Sequence, residues 1–173
     1  MKSGMNPLIS ALDLGFLVLA WVAAAFGALM MCVTFADVVM RYLFRSPIPG
    51  SFEITEISMG LIVFFALPQM VRSRGNICVT VLFDRFSPPV RRYATFATEL
   101  LGAAISVFIA WRMWLYGARI LRYGEITMEL RIPKGLIAQS MALLLIVTAL
   151  AFILSARDAL RGETGARPVG PGL

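Results

Sequence analysis

Whatever chemistry this chain performs, it performs without histidine. That removes bis-histidine haem ligation, HExxH zinc chemistry and imidazole general-base catalysis together. Cys32 and Cys78 sit on different segments without CxxC spacing, so each reads as a small apolar side chain rather than half of a disulfide. Carboxylates and guanidinium groups remain. Glu53 and Glu56 stand just before a long uncharged run, Arg72 and Arg74 just after it, and Glu99 lies inside another apolar run. Arg41, Arg45, Arg119, Arg122 and Arg131 fall between runs. Acids so placed can start a helix, meet a partner or carry a coupling proton; arginines so placed can pair with a partner's acids or with lipid phosphates. No paired acids and no metal cluster form a reaction centre, so the sequence reads as no enzyme and calls for no cofactor or metal.

The elements that must hold these residues follow from composition. Of 173 residues, 59% are hydrophobic and 15% charged, and the mean hydropathy is +0.80. Soluble domains carry about 25% charged residues, so the expected class is an all-α integral membrane protein. The net charge of +6 then reads as topology signal and headgroup contact, not nucleic-acid binding. Leu14–Ala36 carries no charge and would extend about 34 Å as a helix, enough for a bilayer core of about 30 Å. A cleaved signal peptide is the competing reading, but the run is too long and its N-terminal flank nearly uncharged. Four spans are expected, at about 14–36, 54–71, 93–112 and 135–156, within one membrane domain over 1–161. Residues 162–173, rich in Gly and Pro, are expected to be a disordered tail.

The connections are also patterned. Asp37 and Arg41 stand at i,i+4 spacing, an ion pair if the first helix continues that far. Ser46-Pro47-Ile48-Pro49-Gly50 forces a turn, after which Ser51 is the expected N-cap of the second helix. Between spans two and three, Val79, Leu82, Phe83 and Phe86 fall on one side of a helical wheel and Thr80, Asp84 and Ser87 on the other. That suits an amphipathic helix lying in the interface, or equally a loop helix packed on other spans. Gly102, Ala103, Ser106 and Ala110 continue from Glu99 along one face, and Gly135, Ala138, Ala142 and Ala149 form another, as close helix packing in lipid requires. Glu99 near one end of its span reads as structural before functional. The arginines Arg112, Arg119 and Arg122, with Trp114, Tyr116 and Tyr123 between them, describe a helix leaving through the aromatic belt.

Basic residues are denser on the side of the termini, chiefly through Arg72, Arg74, Arg85, Arg91 and Arg92. This places both termini in the cytoplasm. On these residues the sequence resembles a known family, the small four-helix, DctQ-like membrane subunit of tripartite ATP-independent periplasmic (TRAP) transporters. The likeness runs from about Val38 to Ala149. It rests on Arg41-Tyr42, on Pro47-Ile48-Pro49-Gly50-Ser51-Phe52-Glu53-Ile54-Thr55-Glu56 and on Arg72-Ser73-Arg74-Gly75-Asn76-Ile77-Cys78-Val79. Gly124-Glu125-Ile126-Thr127, Leu130 and Ile132-Pro133 complete it. Relatives usually carry histidine at the position of Asn76 and often aspartate at that of Thr80.

The resemblance implies a non-catalytic scaffold in a sodium-coupled importer of organic acids such as carboxylates, in a bacterial inner membrane. Its implied partners are a large permease subunit, which would hold the sodium and substrate sites, a periplasmic substrate-binding protein, and membrane lipids. Within that frame Arg41, Arg45, Glu53, Glu56, Arg72, Arg74, Glu99, Arg119, Arg122 and Arg131 are the candidate partner or lipid contacts. The alternative is a self-sufficient proton-coupled multidrug exporter using Glu99, with Glu56 next.

Overall fold

The computed structural model describes residues 7–73 and 88–160. Long apolar sequences in lipid must satisfy every backbone N–H and C=O internally, and helices do so within one segment. Four helices result: α1, Pro7–Phe44; α2, Ser51–Arg72; α3, Pro88–Tyr123; and α4, Lys134–Leu160. Each is long and apolar enough to cross a membrane, and no strand occurs among the described residues. The expected all-helical class holds. The helices outrun the uncharged stretches they contain: α1 continues through Asp37 and Arg41, and α3 begins at Pro88-Pro89, where missing amide hydrogens cost nothing in a first turn. The proposed interfacial helix (76–87), Arg74, Cys78 and the 162–173 tail lie outside the described residues.

Each connection has an identifiable stop. Arg45 adopts a left-handed conformation (φ 52°) directly after α1, and Gly50 another (φ 79°) directly before α2. The cap of α2 therefore differs from expectation. Gly50 occupies the N-cap and no side chain caps the helix. Ser51 is already helical, and its hydroxyl donates instead to Asp37 Oδ1 at 3.0 Å. At the end of α3, Gly124 is left-handed (φ 65°); its N–H donates to the Leu121 carbonyl (3.2 Å) and that of Glu125 to the Ile120 carbonyl (3.3 Å). This is the Schellman pattern, which satisfies carbonyls a helix end otherwise leaves open.

α1 and α2 pack as one antiparallel hairpin, α3 and α4 as a second, and the two join through α2 against α4. Most of α4's buried positions are small: Gly135, Ala138, Ala142, Ala149, Ala151, Ser155, Ala156 and Ala159 among them. Lipid offers no hydrophobic drive between helices, so close backbone approach and dispersion contact must hold them. The α3 and α4 backbones come close at Gly117 and Gly135, where a Cβ on Gly135 would lie 2.5 Å from the Gly117 carbonyl oxygen. Between α1 and α2, Phe26 and Phe65 stack with centroids 5.8 Å apart. Nearer the termini, Phe16 of α1, Val71 of α2 and Ala151 of α4 form a common core.

Candidate partner-contact site

Three polar nodes pin the helix ends, and they decide which candidate residues are available to anything else. At the start of α2, the Glu53 side chain turns into the protein and is only 8% exposed. Its Oε1 accepts from the Glu129 N–H at 2.8 Å and its Oε2 from the Leu130 N–H at 2.9 Å. These amides belong to the tip of the α3–α4 connection. That connection folds back on itself: Thr127 N–H donates to the Ile132 carbonyl, Lys134 N–H to the Glu125 carbonyl, and Ile132 N–H to the Thr127 hydroxyl. Two parallel N–H donors on one carboxylate make charge-assisted bonds, stronger than neutral ones. Glu53 therefore ties the first hairpin to the connection of the second.

The second node is Asp37. Its Oδ2 accepts from Arg41 Nη2 at 2.7 Å, and its Oδ1 from the Ile48 N–H at 2.9 Å and from Ser51. One buried carboxylate thus fixes the end of α1, the Pro-rich turn and the first residue of α2. Arg41 pairs with it while its side chain stays 61% exposed.

The third node lies at the opposite end. Arg72 Nε donates to Asp13 Oδ1 at 2.7 Å and Nη2 to Asp13 Oδ2 at 3.2 Å. Its Nη1 donates to Asp158 Oδ2 at 2.9 Å. The guanidinium fork matches Asp13 bidentately and leaves a third donor for Asp158, which a lysine could not reproduce. Its side chain is 7% exposed. One arginine thus joins α1, α2 and α4 directly over the Phe16–Val71–Ala151 core.

The candidate residues accordingly divide. Glu53 and Arg72 point inward and make contacts within the chain. Arg41, Arg45, Glu56, Arg119, Arg122 and Arg131 are exposed, and Glu99 is half-buried on α3. Arg45, Glu56, Arg119, Arg122 and Arg131 are not gathered by any of the three nodes. Asp13, Asp37, Ser51 and Asp158 carry the nodes but stood outside the candidate set. Asp13 and Asp158 had one signal available: each flanks an apolar run at the same end as Arg72, with opposite charge. Among the described residues no group of three His, Cys, Asp or Glu could hold a metal ion. These nodes can fasten helices; their acids and bases face one another rather than an open cleft.

Residues 30–162 match the family model of the tripartite ATP-independent periplasmic transporters, DctQ component. No curated protein and no solved structure matches the chain. A match over that range, on a fold of four membrane-length apolar helices, makes this a multi-pass membrane protein that belongs to the DctQ component family of tripartite ATP-independent periplasmic transporters.

Proposed function

We infer that the chain is the non-catalytic scaffold subunit of a sodium-coupled importer, one that takes up organic acids such as carboxylates delivered by a periplasmic binding protein. One observation carries this reading. The buried ionic groups Glu53, Asp37 and Arg72 lock helix ends to one another, as a static support needs. A transporter's own midplane site is typically built from interrupted helices, whereas α2 and α4 run unbroken from end to end.

The reading has an orientation. The density of basic residues favours both termini in the cytoplasm of a bacterial inner membrane. The Arg72 node then lies at the cytoplasmic face, and the Glu53 and Asp37 nodes with the 124–134 connection lie at the periplasmic face. There the exposed Arg41, Arg45, Glu56, Arg119, Arg122 and Arg131 can meet the binding protein or lipid headgroups. Arg72, Arg74 and Glu99 belong to the cytoplasmic half. The large permease subunit would hold sodium and substrate.

Reconstitution tests the reading. The purified chain alone in liposomes should move no organic acid under a sodium gradient. Adding the large subunit and the binding protein should start uptake that stops when this chain is omitted. Uptake by this chain alone would overturn the scaffold reading.

A further inference from the structure

α1 and α3 both leave long faces uncovered, but the two faces differ. Between Asp13 and Asp37, α1 has no charged residue, and its exposed side chains, such as Leu17, Trp21, Leu29 and Phe35, are apolar. Such a face suits acyl chains. The outer edge of the α3–α4 seam instead carries an open apolar groove of about 560 Å³, floored by Ala103 and Ala104 and walled by Leu100, Val107, Phe108 and Trp111 of α3 with Ile153 of α4. The groove extends about 16 Å along the helix, three turns. Its row Leu100–Ala104–Phe108 continues by one more i+4 step to Arg112, and Arg119 and Arg122 follow on the same side. All three arginines are exposed, and none makes an ion pair among the described residues.

The depth of Arg112 is what separates it from an ordinary helix-end arginine. Gly102 lies against Phe152, and Gly117 against Gly135 and Ala138. Arg112 is therefore level with about Ala142 of α4, roughly 12 Å along the axis from Lys134. Ionised side chains at such depth face a partner or a water-filled cavity rather than bare hydrocarbon. Small residues on the adjoining floor let another helix come close.

We propose that this face of α3 is the docking surface for a transmembrane helix of the large permease subunit, which seats apolar side chains in the groove over Ala103 and Ala104 and presents a carboxylate to Arg112. The assignment rests on the reading of the chain as a small subunit beside a larger membrane protein. It also gives α1 the opposite role, the side facing lipid.

The test uses the chain co-expressed with its large subunit in native membranes. A photo-crosslinking benzoylphenylalanine replaces Phe108, an exposed groove residue of α3 whose ring it resembles, or Ala25 on the outer face of α1, and adducts are identified by mass. Position 108 should yield an adduct with the large subunit and position 25 only lipid adducts. Arg112→Glu should lower the amount of copurified large subunit about tenfold, while Arg112→Lys keeps most of it. Ala104→Trp, which fills the groove without touching charge, should lower it as well. Lipid-only adducts at position 108 would assign the groove to acyl chains and overturn the proposal. So would a protein adduct at 25 with none at 108, or wild-type copurification of both Arg112→Glu and Ala104→Trp. If the wild-type large subunit copurifies in those cases, the surface assignment fails and the subunit reading stands. If it does not copurify at all, both fail.

Discussion

Replacing Arg72 by methionine removes the cation that, among the described residues, ties Asp13 and Asp158 together, and takes a partner from each carboxylate. The wild-type guanidinium donates to Asp13 at 2.7 and 3.2 Å and to Asp158 at 2.9 Å, and it is 7% exposed against 26% for Asp13 and 14% for Asp158. Removing one member of a buried ion pair costs about 3–5 kcal/mol, mostly because the remaining charge is stranded. The acids here keep some access to solvent, which relieves part of that penalty, so about 3 kcal/mol is expected. At roughly 2–4 °C per kcal/mol for a chain of this size, the midpoint should fall by about 6–12 °C. The natural reporters are Trp21, Trp111 and Trp114, followed by fluorescence during heating in mild detergent. The decisive comparison is a triple variant, Arg72→Met with Asp13→Asn and Asp158→Asn. If stranded charge is the cause, the triple variant recovers most of the loss although it has fewer ionic contacts than the single one. Arg72→Lys should fall between, since an ammonium cannot match Asp13 bidentately while reaching Asp158. An Arg72→Met midpoint within a degree of wild type, or a triple variant less stable than the single one, would refute the reasoning.

Three further outcomes follow from the other contacts. Glu53→Gln replaces a two-oxygen acceptor by a group with one acceptor and one donor, leaving one of the Glu129 and Leu130 amides unmatched; a loss of about 2 kcal/mol is expected, read as faster hydrogen exchange at those amides and faster proteolysis after Arg131. Asp37→Asn should loosen the Pro-rich turn by about 1–2 kcal/mol, because one neutral amide cannot satisfy Arg41, Ile48 and Ser51 together; exchange at the Ile48 amide checks it. Gly135→Ala places a methyl 2.5 Å from both the Gly117 carbonyl oxygen and Leu121 Cγ, and should lower stability by about 1–3 kcal/mol. Gly15→Ala, inside α1 with nothing within 4 Å, should not lower the midpoint and should raise it slightly by favouring the helix.

The membrane-spanning elements were legible because their signal is local: uncharged runs of bilayer length stand out without knowledge of any neighbour. The Asp37–Arg41 pair was legible for the same reason, being fixed by helical spacing alone. The small-residue faces of α3 and α4 announced close packing, and Ala103, Ser106 and Ala110 on one and Ala138, Ala142 and Ala149 on the other are buried, although the α3 residue that meets Gly135 is Gly117, outside the expected face. What was not legible is everything set by how the hairpins assemble. Arg72 finds Asp13 at a sequence separation of 59 and Asp158 at 86. Glu53 finds its amides at separations of 76 and 77. A carboxylate near a helix start looks the same in sequence whether it faces a partner protein, a headgroup or two amides of its own chain. Ser51 was misread because a serine after a glycine suits an N-cap by type; nothing local showed that Asp37 would compete for its hydroxyl.

The distribution of the nodes bears on how such a subunit can act. If the four helices had to move against one another, ionic locks at both ends would oppose every step, since breaking either leaves buried charge without a counterpart. α4 strengthens the point: its buried side is mostly glycine, alanine and serine, so neighbouring backbones lie close and any sliding meets steric contact at once. The polar nodes fix the ends and the small residues fix the middle. Motion in the assembled transporter is therefore expected to pass at the outer faces of this chain, between subunits, rather than through its interior. Spin labels at Ala25 on α1 and Thr98 on α3, both exposed and outside the groove, should accordingly hold one fixed mutual distance in the complex with and without sodium and substrate. A distance between them that shifts with substrate would place the moving parts inside this chain and remove the physical basis for its role as a support.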